Sequence, residues 1–214
     1  MTRIKICGLT RDEDVRLCEE LRVDYLGFNF VKRSPRCIDT KQAKQLRRLM
    51  HRAQPVGIFL ADQSDAIPGI AKEIGLSFAQ IYGDVPNNFR IPGVTIIRAM
   101  RTMPPPHPGA AAPPLSRLKP GEGTGVRRED HLLLLDGPGN GLSADLESIS
   151  RLPAKLRATI FLAGGLTAIN VRAVIERIHP FAVDAASGVE SAPGITDPLK
   201  LQAFVDAVRS SSPF

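Results

Sequence analysis

The sequence predicts an α/β protein built as a single (β/α)8 barrel, and three observations carry this prediction. Eight short apolar runs typical of strands alternate with stretches typical of helices. Runs such as HLLLL (131–135) and TIFLA (159–163) are continuously apolar, as in parallel strands that are buried on both faces. The first turn, CGLTRD, lacks the GxGxxG pattern of the rival open doubly wound sheet. Eight units in 214 residues also suit a barrel near the lower size limit of this fold.

The alternation assigns the elements in chain order. Strands are predicted at 3–9, 25–30, 55–60, 78–83, 94–100, 131–136, 158–164 and 181–187. Helices are predicted at 11–21, 39–52, 64–75, 143–152, 167–178 and 197–208. Pro68 should interrupt or restart the third helix, because a proline inside a helix removes a hydrogen bond and clashes with the preceding turn. The connection between the fourth and fifth strands is short and irregular. We expect one barrel domain over 1–214.

One segment breaks the alternation. Residues 104–120 read PPPHPGAAAPPLSRLKP, with seven prolines, and cannot form a regular helix. The fifth helix of the barrel is therefore expected to be shortened, displaced or replaced by this segment. The segment is either a tolerated surface excursion or a flap over the catalytic face.

Composition limits the classes of function. The net charge is +6, but the basic residues are dispersed and no run interleaves them with aromatic residues. This argues against nucleic-acid binding and suits an enzyme whose small substrate carries phosphate and carboxylate groups. No apolar run approaches the roughly 18 residues of a membrane span, and the start of the chain lacks the pattern of a secretory signal. The three cysteines, at 7, 18 and 37, fit reduced thiols in a cytoplasmic protein better than a disulfide set or a metal site.

Two glycine-containing loops predict a phosphate site. Gly164 and Gly165 follow the seventh strand and precede a helix expected to start near Thr167, and Ser187 and Gly188 lie one unit later. Glycine lets backbone N–H groups approach an anion closely, and phosphate sites of these barrels commonly lie after strands seven and eight. The alternative is that these glycines only form tight turns.

Three further side chains fall at the carboxyl ends of predicted strands, where such barrels build their active sites. Cys7 ends the first strand and, taken alone, also fits a buried core residue. Asp136 ends an apolar strand, where burial would raise its pKa and suit it to general acid catalysis, although a turn or helix-capping role fits equally well. Arg36 follows the second strand, and its forked guanidinium could bind a substrate carboxylate. A solvated surface arginine is the alternative.

Six stretches give the chain its resemblance to the phosphoribosylanthranilate isomerase family of tryptophan biosynthesis: KICGLT, GFNFVKRSPR, VGIFL, LLLLD, LAGGLTAINV and VDAASGVESAPGITD. The resemblance is in register along nearly the whole chain and is weakest at about 101–130 and 137–145. It implies a (β/α)8 barrel that catalyses, without metal or cofactor, the Amadori rearrangement of N-(5-phosphoribosyl)anthranilate to the deoxyribulose 5-phosphate product. It implies a phosphosugar as the small-molecule partner and a monomer or homodimer.

The same resemblance implies the site residues. Cys7 matches the family's general base, Asp136 its general acid, and Arg36 the arginine that holds the anthranilate carboxylate. The remaining matches bind the phosphate or order the site, and they are Gly164, Gly165, Asp184, Ser187 and Gly188. Strand alternation places Lys5 on the same face as Cys7, so we expect Lys5 to lower the pKa of the thiol.

Two departures from the family pattern lie around strands four to six. The family's histidine after strand four is replaced by Tyr82 in AQIYGD, and the loop after strand six, GPGNGLSADLES, has no aromatic residue. We expect an intact phosphosugar half of the site and an altered aryl half. The alternatives are a related isomerase that acts on another phosphoribosyl amine, and a non-catalytic barrel that binds a phosphate ligand.

Overall fold

The protein forms a closed barrel of eight parallel strands, in the order β1 to β8 around the barrel. The structure is a computed structural model that describes residues 1–101, 132–137 and 146–211. The barrel strands are Arg3–Cys7 (β1), Tyr25–Asn29 (β2), Gln54–Leu60 (β3), Phe78–Tyr82 (β4), Thr95–Arg101 (β5), Leu132–Asp136 (β6), Ile160–Ala163 (β7) and Ala182–Ala185 (β8). The predicted barrel is confirmed.

Helices cover the outside of the strands. They are Asp12–Glu20 (α1), Thr40–Arg47 (α2), Ile67–Ile74 (α3), Leu146–Ser150 (α4), Ala154–Arg157 (α5), Val171–Ile178 (α6) and Pro198–Ser210 (α7). A small antiparallel pair, Glu190–Ala192 (β9) and Ile195–Thr196 (β10), separates β8 from α7. No described helix has the length and apolar character needed to cross a membrane.

Local chemistry explains where several helices begin. The Asp39 carboxylate accepts the N–H of Gln42 at the start of α2, and Asp197 caps α7 in the same way. Pro68 lies in the first turn of α3, where its missing N–H costs nothing, so the expected restart at this proline is confirmed. Residues 83–94 contain no helix, which agrees with the irregular connection expected there.

Two apolar layers position the site. The larger layer lies between the strands and the helices, and it includes Ile4 and Ile6 of β1. The smaller fills the lower barrel interior with side chains such as Tyr25, Leu134 and Phe161. Since strand side chains alternate, the odd-numbered residues of β1 point inward, and polar groups replace the apolar filling toward the carboxyl ends.

Three expectations concern residues outside the described ranges. The Pro-rich segment 104–120 and most of the loop after β6 lie there, so the fate of the fifth helix and the altered aryl half stay predictions. The single domain over 1–214 includes these ranges and stays a prediction as well.

Candidate active site

A buried ion pair lies beneath the mouth of the barrel. The Lys5 ammonium donates to Oδ2 of Asp184 at 2.8 Å, and the two side chains are 0% and 6% exposed. Lys5 and Asp184 are register partners on the adjacent strands β1 and β8. A buried charge needs such a partner. Burial lowers the pKa of Lys5, but the Asp184 carboxylate and the Cys7 thiol together raise it above its ordinary value. Lys5 therefore remains a cation inside the barrel.

Cys7 lies two residues beyond Lys5 on the same face of β1 and is partly exposed at the mouth. Desolvation raises the pKa of its thiol to about 11, while the charge of Lys5 lowers it. The expected influence of Lys5 has the right direction, but desolvation outweighs it. The other two cysteines are also free: Cys18 is buried in the core, and Cys37 is exposed.

Asp136 ends β6, where its register partners are Arg101 on β5 and Ala163 on β7. The phenol of Tyr82 donates to its Oδ2 at 3.1 Å. Burial raises the pKa of the Asp136 carboxyl above its ordinary value, and the Tyr82 hydrogen bond opposes this rise. A carboxyl that holds its proton more firmly than an ordinary aspartic acid suits a general acid.

The Arg36 guanidinium is held by a partner that the sequence did not reveal. Its Nε and Nη2 donate to the two carboxylate oxygens of Glu190 at 2.7 and 2.5 Å. Arginine has five N–H donors, so the edge formed by Nη1 and the second N–H of Nη2 is still available to a second carboxylate. Glu190 belongs to the SGVE stretch, and its acidic character in a glycine-containing loop was the only signal for this role.

Gly8 explains how Arg36 reaches this position. Gly8 has a φ of +83°, and a Cβ atom there would lie 2.3 Å from Cδ of Arg36. The backbone after Cys7 therefore leaves room for the arginine side chain to cross directly over it. At the end of β1, Cys7 therefore supplies the thiol, and the following Gly8 leaves the space for the Arg36 side chain.

The two predicted phosphate loops lie against each other. A Cβ atom on Gly188 would be only 1.9 Å from the carbonyl oxygen of Leu166, next to the Gly164–Gly165 turn. Within the described residues, no acceptor is recorded for the N–H groups of Gly164 and Gly165. Ser187 and Gly188 open a short 3-10 helix, whose first N–H groups have no partner within the helix. These amides can receive a phosphate.

One detail of the phosphate prediction is wrong. Helix α6 begins at Val171, not near Thr167. The Asn170 side chain accepts the N–H of Thr167 and donates to the carbonyl of Gly165, so a turn rather than a helix occupies these residues. We therefore assign the phosphate contacts to the backbone amides of the two loops and not to the N-terminus of α6.

We expect Gly188→Ala to weaken phosphate binding about tenfold or more, because the added methyl group must separate the two loops. Calorimetric titration with inorganic phosphate at constant ionic strength measures this. Gly69→Ala is the matched control, since a Cβ atom there has no neighbour within 4 Å. Equal affinities in wild type and Gly188→Ala would contradict the assignment.

The structure thus brings most of the predicted residues together at one end of the barrel. Burial raises the pKa of Tyr82, and the charges of Asp136, Cys7 and Asp184 add to the rise, so these three groups lie within electrostatic reach of its hydroxyl. Arg98, in the middle of β5, donates to the carbonyls of Val85 and Pro86. No group of side chains suited to hold a metal ion occurs in the described part of the chain.

The closed barrel and the polar groups at the carboxyl ends of its strands define a (β/α)8-barrel enzyme. The sequence model of the N-(5'-phosphoribosyl)anthranilate (PRA) isomerase family matches residues 4–207. The chain belongs to this family.

Individual relatives agree with this assignment. The N-(5'-phosphoribosyl)anthranilate isomerase of Chlorobaculum tepidum is 37% identical over 220 residues, which cover 99% of this chain and 96% of the relative. The crystal structure of phosphoribosyl anthranilate isomerase from Thermotoga maritima is 27% identical, with a TM-score of 0.81 over 98% of this chain and all of that chain. Another isomerase structure, in complex with reduced 1-(o-carboxyphenylamino)-1-deoxyribulose 5-phosphate, is 27% identical and has a TM-score of 0.76, over 98% and 100% of the two chains.

Proposed function

We propose that the protein catalyses the Amadori rearrangement of N-(5'-phosphoribosyl)anthranilate to 1-(2-carboxyphenylamino)-1-deoxyribulose 5-phosphate in tryptophan biosynthesis. The observation that carries the proposal is the pairing of a thiol and a protonatable carboxyl, Cys7 and Asp136, at one barrel mouth in a chain of this family. The substrate has an acidic phosphate at one end and an aryl carboxylate at the other. The phosphate loops and Arg36 supply groups for both ends.

In the first step the Asp136 carboxyl gives its proton to the furanose ring oxygen. The bond between that oxygen and C1' breaks, and the nitrogen lone pair forms the C=N bond of a protonated Schiff base. The raised pKa of Asp136 supports this role, because a larger fraction of the carboxyl carries a proton at neutral pH.

In the second step the Cys7 thiolate removes the proton from C2'. The C–H electrons form the C1'–C2' double bond, and the C=N electrons return to nitrogen. The resulting enolamine becomes the ketone when the 2'-hydroxyl loses its proton and C1' gains one. Lys5 lies beside the sulfur and favours its ionised form. The steps are proton transfers and the cleavage of one C–O bond, with no net oxidation of the substrate, so the proposal includes neither a metal ion nor a redox cofactor.

Binding of the two ends of the substrate would hold its reacting carbons between Asp136 and Cys7. The free edge of the Arg36 guanidinium would take the anthranilate carboxylate in two hydrogen bonds, while Glu190 fixes its other edge. The amides of Gly164, Gly165, Ser187 and Gly188 would take the phosphate, and Asp184 acts on the site through Lys5. Binding energy from both ends can thus orient C1' and C2'.

The reactive form of the enzyme combines a thiolate with a protonated carboxyl. With a pKa of about 11 for Cys7, about one thiol in 10⁴ is ionised at pH 7. The pKa of the carboxyl is lower than that of the thiol. Between these two pKa values, a rise in pH increases the fraction of thiolate by the same factor by which it decreases the fraction of protonated carboxyl. The value of kcat/KM is therefore level across neutral pH, falls on the acidic side with Asp136 and falls on the alkaline side near pH 11 with Cys7.

Loss of substrate fluorescence on incubation with N-(5'-phosphoribosyl)anthranilate tests the function. We expect turnover by the wild type and a fall of about 10²-fold or more in kcat for Asp136→Asn, which keeps the shape of the acid and removes its proton. Asp206→Asn on the exposed face of α7 is the control and keeps the wild-type rate. A folded wild type that binds phosphosugars without turnover would instead support a different amine substrate or a non-catalytic barrel.

Further parts of the proposal follow from the sequence. The enzyme acts in the cytoplasm on a small phosphosugar, as the reduced cysteines and dispersed basic charge suggest, and it has no nucleic-acid partner. Its state as a monomer or a homodimer can be measured by analytical ultracentrifugation.

A further inference from the structure

The Tyr82 hydroxyl joins two strands that are not neighbours. Tyr82 is the last residue of β4. Its hydroxyl donates to Oδ2 of Asp136 on β6 at 3.1 Å, across the mouth of the barrel, although β5 lies between the two strands. The hydroxyl in turn accepts a hydrogen bond of 3.2 Å from Nε2 of Gln80, two residues earlier on the same face of β4. The three groups form a chain of hydrogen bonds from Gln80 to Asp136.

This chain has a direction. The buried Gln80 amide occupies a lone pair of the phenol oxygen, and the phenol proton is directed to the carboxyl. Oδ2 of Asp136 is therefore an acceptor.

We propose that Tyr82 is a positioning residue for the general acid: its hydrogen bond helps to orient the Asp136 carboxyl for proton transfer. This inference rests on the proposed function, in which Asp136 protonates the ring oxygen. The phenol, which is itself held by Gln80, limits the rotation of this carboxyl. Proton transfer depends steeply on such alignment.

The groups around Asp136 determine how its pKa changes when the phenol hydroxyl is removed. The Asp136 carboxyl faces Tyr82 from β4, Arg101 from β5, Lys5 from β1 and Asp184 from β8. Burial raises the pKa of Asp136, and the hydrogen bond from Tyr82 opposes the rise, ahead of Arg101 and Lys5. Without the phenol hydroxyl the pKa of Asp136 rises further, so the acidic limb of kcat/KM moves to higher pH.

Tyr82→Phe tests the inference, and Tyr25→Phe is the matched control, because the chain has two tyrosines and Tyr25 lies in the lower barrel interior. We expect Tyr82→Phe to lower kcat about tenfold or more with little change in KM. A rise in the pKa of Asp136 would by itself increase the population of the reactive form. A fall in kcat together with an acidic limb at higher pH therefore indicates that the carboxyl is no longer correctly positioned. Tyr25→Phe should change neither kcat nor the pH profile.

Two further measurements keep the outcomes distinct. In an Asp136→Asn background, Tyr82→Phe should cause no additional loss, since the group it positions is gone. If Asp136→Asn itself keeps the wild-type rate, the proposed function is wrong; if only Tyr82→Phe keeps wild-type kcat and pH profile, this inference alone is wrong.

Gln80→Met provides a second variant should Tyr82→Phe not fold. It removes the amide donor that orients the phenol and leaves Tyr82 itself in place. We expect a smaller fall in kcat in the same direction, and an unchanged kcat would overturn the inference.

Discussion

Replacement of Cys7 by alanine is expected to lower kcat by about 10²-fold or more while the phosphosugar product still binds. In the proposed mechanism the Cys7 thiolate is the base that removes the C2' proton. Stopped-flow fluorescence gives kcat, and calorimetric titration with the reaction product gives the affinity.

Cys37→Ala is the control for this variant, because Cys37 is exposed and removal of its sulfur leaves no core cavity. Cys18 is unsuitable as a control since it is fully buried in the core. Wild-type kcat in Cys7→Ala would exclude Cys7 as the base. Loss of both turnover and product affinity would show that Cys7 acts through the structure of the site instead.

Lys5→Met is expected to lower the free energy of unfolding by about 3–5 kcal/mol, since it leaves the buried Asp184 carboxylate without its cation. Urea denaturation followed by circular dichroism measures the change. The sign of its pH dependence follows from Asp184. Without Lys5 the folded-state pKa of this carboxyl rises further above its unfolded value, so the defect is greatest at neutral pH and shrinks as the pH falls and the carboxyl takes a proton.

Lys44→Met is the matched control, because its ion pair with Glu73 is on the surface, with side chains 43% and 45% exposed. The expected change there is about 0–1 kcal/mol. Lys5→Met should also move the pKa of Cys7 above its value of about 11, which thiolate absorbance can follow. Equal stability losses in the two variants would show that the buried pair is not specially coupled.

The strands were largely predictable from the sequence because each is a short apolar run between turns. The predicted order and number of strands agree with the structure, and the ends differ by one or two residues. The start of α6 was predicted four residues too early, since TAIN fits a helical pattern. The Asn170 side chain captures the N–H of Thr167 and stabilises a turn there.

The site was predictable in part. Strand alternation predicted that Lys5 lies beside Cys7, and the ends of the first and sixth strands predicted the two proposed catalytic groups. The contacts of Arg36 with Glu190 and of Tyr82 with Asp136 join residues 154 and 54 positions apart. Such pairs depend on which side chains face each other across the closed barrel. These contacts cannot be predicted from periodicity or from spacing along the chain.

Three hydrogen bonds at or beside the site join the first two units of the barrel to the last one. Lys5 contacts Asp184, Arg36 contacts Glu190, and Thr10 donates to the carbonyl of Gly194. Each contact closes a loop of more than 150 residues, and the entropy of that closure is lost before the contact forms. The Arg36–Glu190 pair, to which we assign the aryl carboxylate, therefore cannot form in a nascent chain that ends before β9. Catalytic competence should appear in one late folding event, together with pairing of β1 and β8.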